Sequence, residues 1–197
     1  QNNKAKYIIA LNNINLTINA GDRVGIRGLN GSGKSTLLKV FSGALEPTNG
    51  KVTIIGKVSS LIDFSMGLDG ELTAIENIIF RAGLKNMTKN ETEIFIDHVI
   101  NFSELEEFKD IQICQYSSGM RLRLAYSMAA YQSGDILIMD EMVFVGDKNF
   151  SEKIKKNINE ILNKKKILII ASHNDELLKN YCNRFIDLEK GNISKIL

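Results

Sequence analysis

The sequence predicts an α/β protein in which a phosphate-binding loop joins a strand to a helix. Gly28–Ser35 has the form G-x-x-x-x-G-K-[ST], and the apolar-rich strand pattern Arg23–Arg27 precedes it. Two continuous apolar runs, Ile136–Met139 and Ile167–Ala171, are typical of parallel strands buried on both faces. Between Glu71 and Tyr131 the spacing of apolar residues becomes helical, which indicates a helical insertion between two α/β portions.

Length and composition are those of one globular domain. The chain has 197 residues, of which 44% are hydrophobic and 24% charged. We expect one domain over residues 1–197, with an α/β core at about 1–62 and 133–197 and a helical subdomain at about 71–131. A net charge of +2 predicts no strong general affinity for nucleic acid or membranes. No apolar run approaches the roughly 20 residues that span a bilayer.

The ends and the cysteines add little. The chain begins at Gln1 rather than Met, which is compatible with an excised or processed piece. Cys114 and Cys182 are isolated, so we expect two reduced thiols, with a structural disulfide as the lesser alternative.

The first third of the chain is predicted to alternate strands with loops. Ile14–Asn19 alternates polar and apolar residues and indicates a half-exposed strand. After the phosphate loop, a helix ends near Gly43, Lys51–Ile55 is a predicted strand, and Val58–Ile62 follows as another short apolar run. Asp63–Gly70 is predicted to be a loop that leaves the core.

Two helices are predicted at the start of the insertion. Thr88 and Glu91 form a capping-box pattern that would open the second one. The predicted core-facing residues are Ile75, Ile78 and Ile79 on the first helix and Ile94, Val99 and Phe102 on the second. His98 on the second helix is predicted to be a surface or packing residue.

The last portion returns to alternating helices and strands. The pattern predicts helices at Lys153–Asn163 and Glu176–Tyr181, then a hairpin of Arg184–Leu188 with Asn192–Ile196. The lysines on and after the first of these helices predict a solvated face, with an anionic-lipid contact as the alternative. They are Lys153, Lys155, Lys156, Lys164, Lys165 and Lys166.

The loop at Gly28–Ser35 has the residues that phosphate binding requires. Its glycines let successive backbone N–H groups point at a phosphate, and the positive end of the following helix adds attraction. Lys34 would reach the β- and γ-phosphates, and the Ser35 hydroxyl would ligate Mg²⁺.

Polar residues follow both buried runs. Parallel strands place ligand sites at their carboxyl ends, so Asp140 is suited to the Mg²⁺ shell and Glu141 to polarising water. His173 would reach the same edge, where it is either a phosphate contact or a structural residue.

Two further positions have both a structural and a binding interpretation. Ser117, Ser118 and Gly119 stand at a predicted helix start, which is either a cap or a second anion-binding terminus. Tyr7 is either a packing residue or a ring stacked on a nucleotide base.

Together these residues resemble the nucleotide-binding domain of the ATP-binding cassette (ABC) family over nearly the whole chain. Gly28–Ser35 is similar to Walker A, and Ile136–Asp140 to Walker B followed by the catalytic glutamate. Tyr116–Met120 stands at the signature motif, Gly146-Asp147 at the D-loop, and His173 at the switch histidine. Asp63 stands in the Q-loop, in place of the glutamine that the family usually has there. That glutamine usually contacts Mg²⁺ and water.

The resemblance implies a P-loop NTPase fold with a RecA-like core, an antiparallel β subdomain and an inserted helical subdomain. It implies an ATPase with catalytic residues Glu141, His173 and Lys34 and with Mg²⁺ near Ser35, Asp140 and Asp63. The implied ATP contacts are Gly28, Leu29, Asn30, Gly31, Ser32, Gly33, Lys34, Ser35, Thr36 and Tyr7, and, from a second head-to-tail copy, Ser117, Ser118, Gly119 and Asp147.

Within the family, the sequence resembles the subfamily that exports bacterial polysaccharide, O-antigen and teichoic acid, and most of all its teichoic-acid branch. Gly70–Thr73 before Glu76-Asn77 and Val145–Asp147 contribute to this resemblance. It implies a peripheral subunit on the cytoplasmic face of the membrane, in contact with the membrane only through a separate permease, and no nucleic-acid partner.

Three other functions are compatible with the sequence. The first is the ATPase subunit of a different ABC exporter, for a drug, lipid or peptide. The second is a soluble ABC protein that acts on DNA or the ribosome, although such proteins usually carry coiled-coil insertions or tandem domains. The third is a regulatory nucleotide-binding module, against which Glu141 and His173 argue.

Overall fold

The computed structural model describes residues 8–62, 67–131, 134–141, 148–162 and 167–197. The strands in these ranges are β1 (Arg23–Arg27), β2 (Val58–Leu61), β3 (Ile136–Asp140), β4 (Ile167–Ala171), β5 (Arg184–Glu189) and β6 (Asn192–Ile196). The helices are α1 (Lys34–Phe41), α2 (Ala74–Leu84), α3 (Lys89–Ser103), α4 (Ser118–Ala130), α5 (Lys148–Leu162) and α6 (Asp175–Tyr181).

The chain divides into two compact units. The sheet unit comprises the described residues within 1–62, 134–141 and 162–197. The helical unit comprises the described residues within 63–133 and 142–161, so most of α5 belongs to it. Each unit has an apolar core of its own.

The sheet unit contains one six-stranded sheet in the order β2-β3-β4-β1-β5-β6. Every neighbouring pair is parallel except β5 with β6, which forms the predicted hairpin. The apolar runs of β3 and β4 are buried because they lie inside the sheet, as their composition predicts. The core residues of this unit are Val24, Ile26, Leu37, Leu38, Ile136, Ile138, Ile169, Ala171, Ile186 and Leu188.

Two predicted strands are wrong. Neither Ile14–Asn19 nor Lys51–Ile55 forms a strand. In the first segment Ile14, Leu16 and Ile18 do pack against the sheet core while the intervening residues are exposed, as the alternation predicts. Alternation reports burial on one side only, whereas a strand also needs a partner strand in hydrogen-bonding register.

The helical unit is built around α2, α3 and α4. Its core residues are Ala74, Ile78, Ala82, Phe95, Val99, Ile100, Leu105, Ile113, Tyr116, Leu124 and Met128. The predicted inward positions of Ile79 and Ile94 are wrong, since these side chains are 48% and 51% exposed. The buried residues of α2 are Ala74, Asn77, Ile78 and Ala82, so Ile78 faces the core as predicted while Ile79 lies outside this stripe.

Helices α2 and α3 both begin with capping boxes. Thr88 accepts a hydrogen bond from the Glu91 backbone N–H, and the Glu91 carboxylate accepts one from the Thr88 N–H, which confirms the predicted start of α3. Thr73 and Glu76 form the same reciprocal pair at α2. Each box satisfies two backbone donors that a helix end leaves unpaired.

Helix α5 is held in the helical unit by apolar and polar contacts. Phe150, Ile154 and Ile158 are buried, and Asn157 accepts a hydrogen bond of 2.9 Å from the Tyr126 hydroxyl. Lys155 and Lys156 are exposed, as a solvated face predicts, and the Lys153 ammonium group forms a surface ion pair, 2.7 Å from the Glu104 carboxylate. Residues 164–166 of the lysine-rich segment lie outside the described residues.

Both cysteines are free thiols, as the sequence predicts. Burial raises the pKa of Cys182 to about 12, so this thiol is protonated at neutral pH. Among the described helices, none has the length and apolar character needed to cross a membrane.

Asn77 closes the loop that precedes α2. This side chain is 2% exposed and accepts a hydrogen bond of 2.8 Å from the Asp69 N–H. Its amide nitrogen donates to the backbone carbonyls of Asp69 and Thr73, at 3.0 and 2.9 Å. The Asp69 N–H therefore depends on one buried side chain for its hydrogen bond.

We predict that Asn77→Ala lowers the free energy of unfolding by roughly 2–4 kcal/mol, because it removes the partner of the Asp69 N–H and creates a cavity at a buried position. Urea unfolding followed by circular dichroism measures this loss. The control is Asn90→Ala, at an exposed position of α3, which should change the free energy by less than about 0.5 kcal/mol. Equal effects of the two substitutions would contradict the role of Asn77.

Candidate functional site

The phosphate-binding loop lies where the sequence predicts it, between β1 and α1. Gly33 is the N-cap of α1 and has φ of 107°, and Gly28 has φ of 153°. A Cβ atom on Gly28 would lie 2.4 Å from the Leu188 carbonyl oxygen and 2.5 Å from the Ser32 hydroxyl oxygen. The loop therefore needs a glycine at position 28, because its backbone has a positive φ there and β5 approaches it closely.

Two polar side chains of the loop bear on the binding of an anion. The Ser32 hydroxyl is buried and has no hydrogen-bond partner among the residues that the structure describes. The Lys34 ammonium group donates to the carbonyl oxygens of Gly28 and Leu29, at 2.7 and 3.1 Å, so its charge is held against the loop. Together with the N–H groups at the start of α1, these side chains give the loop several donors for a phosphate.

The order of the strands brings the other predicted residues to one edge of the sheet. β4 lies between β3 and β1, and Ala171 at its end is opposite both Asp140 and Ile26. Glu141, Ser172 and Gly28 each follow one of these strands directly. We call this edge, at the ends of β1, β3 and β4, the carboxyl edge.

Glu141 and His173 are in direct contact at the carboxyl edge. The His173 Nδ1 atom lies 2.8 Å from the Glu141 carboxylate, and the His173 backbone N–H donates to it at 2.9 Å. A carboxylate only accepts hydrogen bonds, so Nδ1 carries the proton and Nε2 is left for another group. The His173 side chain is 67% exposed, which leaves Nε2 open to a ligand.

Sequence patterns did not identify a third donor to Glu141. The Ser172 hydroxyl, which is fully buried, donates to the Glu141 carboxylate at 2.8 Å. A polar residue directly after a buried strand and next to His173 is the signal that could have identified it. Three groups from two consecutive residues therefore hold one carboxylate.

These contacts decide the charge of Glu141. Burial raises the pKa of its carboxyl group, but the hydrogen bonds from His173 and Ser172 outweigh burial and bring the pKa below its ordinary value. Glu141 is therefore ionised at neutral pH. Because the pKa is lower in the folded chain than in the unfolded one, these contacts stabilise the fold at neutral pH and are lost as the pH falls through the folded value.

The candidate ligands for a metal ion are hard oxygen donors. Ser35 supplies a hydroxyl and Asp140 a carboxylate, and one Asp140 oxygen accepts a hydrogen bond of 2.7 Å from the Glu141 N–H. Where the chain is described, no three His, Cys, Asp or Glu side chains are grouped to enclose a metal by themselves. Magnesium commonly uses one or two protein oxygens together with phosphate oxygens, so this donor set fits Mg²⁺.

A cleft of about 600 Å³ lies beside the loop in the sheet unit. It is lined by the loop backbone, by His173 and by the turn between β5 and β6. Arg27, at the end of β1, lies in its wall 3.5 Å from Asp187 and 3.8 Å from Asp175. The sequence patterns did not single out these three charged residues. The signal that could have identified Arg27 is an arginine at the end of an apolar strand that leads into the phosphate loop.

The predicted second anion-binding terminus lies in the helical unit. α4 begins at Ser118, and the Ser117 hydroxyl accepts a hydrogen bond of 3.2 Å from the Met120 N–H. Ser117 is therefore a helix cap, as its position predicts. Ser117, Ser118 and Gly119 are all exposed, so the start of α4 is accessible to a ligand.

Three predicted site residues lie outside the described part of the chain. They are Tyr7, Asp63 and Asp147. Their predicted contacts to a base, to Mg²⁺ and to a second copy stay predictions.

The mostly parallel sheet, with its phosphate loop between the first strand and the first helix, defines a P-loop NTPase fold. Comparison with known proteins narrows this class. The profile of the family described as ABC transporter matches residues 11–143. The chain belongs to the ABC transporter family.

The curated relatives show a more specific similarity. The chain is 38% identical over 196 residues to the O-antigen export system ATP-binding protein RfbB of Myxococcus xanthus, in a match that covers 100% of this chain and 45% of that protein. It is 38% identical over 193 residues to the teichoic acids export ATP-binding protein TagH of Staphylococcus epidermidis, covering 98% of this chain and 73% of that protein. The chain thus spans less than half of the first relative's length.

Solved structures confirm the predicted fold class. The dimeric post-hydrolysis state of the ATP-binding cassette MJ0796, bound to ADP and Pi, is similar with a TM-score of 0.80 and 26% identity. The similarity covers 98% of this chain and 92% of that chain. The ATP-binding subunit of another ABC transporter shares the fold, with a TM-score of 0.77 and 21% identity over 95% of this chain and 83% of that chain.

We predict that Gly28→Ala lowers the free energy of unfolding by roughly 2–4 kcal/mol, because its Cβ would overlap the Leu188 carbonyl and its φ is positive. Thermal unfolding measures the effect. Gly31→Ala is the matched control, since Gly31 also has a positive φ, of 79°, but a Cβ atom there would meet nothing within 4 Å. That control should cost only about 1 kcal/mol, and an equal cost at both positions would contradict the packing argument.

Proposed function

We propose that the chain is the ATP-binding and ATP-hydrolysing subunit of a bacterial exporter of lipid-linked cell-surface polysaccharide, of the teichoic acid, O-antigen or capsule type. The contact of Glu141 with His173 at the carboxyl edge, which the phosphate loop shares, carries the proposal for hydrolysis. The names of the relatives RfbB and TagH, at 38% identity, support the class of exported substrate.

The phosphates of ATP would bind the loop between β1 and α1. Backbone N–H groups of Gly28–Gly33 and the start of α1 would donate to them, and the buried Ser32 hydroxyl would gain a partner. Lys34 would exchange its two carbonyl partners for the β- and γ-phosphates. Thr36 follows on the first turn of α1, and Tyr7 would stack on the base.

Ser35 and Asp140 would hold Mg²⁺, with Asp63 contributing from the segment after β2. The ion would neutralise charge on the phosphates. Glu141 is ionised and held by three donors, so it can orient and polarise a water molecule for attack on the γ-phosphate. His173 would present Nε2 to a γ-phosphate oxygen while Nδ1 stays on Glu141.

We further propose that two copies pack head to tail around two ATP molecules. Ser117, Ser118 and Gly119 of one copy would contact the nucleotide held by the loop of the other, and Asp147 would lie at the same junction. Two observations support this arrangement: the start of α4 is exposed, and the similar cassette MJ0796 is dimeric. A separate permease in the membrane, with this subunit on its cytoplasmic face, would complete the exporter.

Glu141→Gln should retain ATP binding but reduce hydrolysis by about 100-fold or more, because the amide cannot accept a proton from water. Binding of a fluorescent ATP analogue and phosphate release measure the two properties. Glu160→Gln, at an exposed position of α5, is the matched control and should hydrolyse ATP like the wild type. Full hydrolysis by Glu141→Gln would refute the role of this carboxylate.

The proposed dimer can be tested at Gly119. A Cβ atom there would meet only the Ser117 hydroxyl oxygen, at 3.8 Å, so Gly119→Asp should leave the fold intact. Its negative charge would repel the phosphates of the nucleotide bound by a second copy. In the Glu141→Gln background, we expect ATP to produce a dimer in light scattering, and Gly119→Asp to abolish that dimer while each monomer still binds ATP.

The control for this experiment is Gly83→Asp on α2, which also faces open space. That variant should still dimerise with ATP. An unchanged dimer in Gly119→Asp would contradict a role for the start of α4 in nucleotide binding between copies.

A further inference from the structure

We infer that Ser172 is a positioning residue for the proposed hydrolysis, and that it acts by fixing the orientation of the Glu141 carboxylate. The inference rests on the proposed function, since it assumes that Glu141 acts on water. It starts from a contact that no motif predicted, between a fully buried hydroxyl and an ionised side chain.

The hydrogen bonds of Ser172 determine where its hydroxyl proton points. The Asn174 backbone N–H donates to the Ser172 oxygen at 2.9 Å, so that oxygen acts as an acceptor there. The Glu141 carboxylate can only accept, so the single hydroxyl proton points to Glu141, at 2.8 Å. The hydroxyl therefore cannot rotate to another partner without losing a bond.

The backbone of Ser172 is fixed as firmly as its side chain. Its N–H donates to the Ile26 carbonyl on β1 at 3.1 Å, two residues before the phosphate loop. Asn174 caps α6 by accepting from the N–H groups of Glu176 and Leu177. Ser172 thus joins Glu141 to the strand that leads into the loop and to the helix that follows His173.

Ser172 and His173 both hold Glu141, but their side chains differ in freedom. One Glu141 oxygen, Oε2, accepts from both the Ser172 hydroxyl and the His173 N–H. The His173 side chain is mostly exposed, so neighbouring residues restrict its ring little. The Ser172 hydroxyl is buried and is therefore the more firmly fixed of the two side-chain donors to the carboxylate.

The kinetic test is Ser172→Ala in the full chain. A hydrogen bond to a charged group is lost, so kcat should fall by about tenfold or more while KM for ATP stays within about twofold. Ser172→Thr retains the hydroxyl and should restore kcat. Ser103→Ala is the matched control, because Ser103 is also fully buried but donates only to the Ile100 carbonyl within α3.

A second test does not depend on activity. Ser172→Ala should lower Tm more in the wild-type background than in Glu141→Ala, where the carboxylate acceptor is already gone and the bond from the Asn174 N–H remains to be lost. Equal Tm losses in both backgrounds would overturn the contact. If the added methyl group makes Ser172→Thr unstable, this comparison of the two backgrounds still tests the contact between Ser172 and Glu141.

The inference and the proposed function fail in different ways. If Glu141→Gln lacks turnover but Ser172→Ala keeps the wild-type kcat, the inference is wrong and the proposed function stands. If Glu141→Gln hydrolyses ATP normally, the proposed role of Glu141 is wrong, and the positioning role falls with it. A loss in Ser172→Ala that appears in KM alone would also overturn the positioning role.

Discussion

The position of β4 between β3 and β1 is the constraint on which the site depends. Ala171 is opposite Asp140 on one side and Ile26 on the other. Because all three strands are parallel, they end together, and the chain leaves each of them at the same edge. The phosphate loop, the Glu141 carboxylate and His173 lie at one edge for that reason, although His173 follows Ser35, the last residue of the loop, by 138 positions.

The buried strands also explain why the polar groups at this edge bond to one another. β3 and β4 are buried almost to their ends, so Ser172 is fully buried and Asp140 and Glu141 are only partly exposed. Burial alone would favour a neutral Glu141, and three hydrogen-bond donors from Ser172 and His173 reverse that preference. A charged side chain held by several hydrogen bonds is suited to polarising water.

The helical unit is stabilised by contacts of another kind. Its core includes small residues such as Ala74 and Ala82, capping boxes close the starts of α2 and α3, and the buried Asn77 holds the loop before α2. The start of α4 is capped by Ser117 and is exposed. An exposed, capped helix start is what a nucleotide from a second copy would contact in the proposed dimer.

Sequence alone determined the phosphate loop, the buried strands β3 and β4, the hairpin and the capping box of α3, because each depends on residues that are neighbours in the chain. It did not determine whether Ile14–Asn19 is a strand or which face of α2 is buried, since both depend on partners elsewhere in the fold. Tertiary structure alone paired Glu141 with Ser172 and His173. The reason is the strand order: the chain predicts that β3 and β4 end in polar residues, but only their parallel pairing brings those residues within hydrogen-bonding distance of each other.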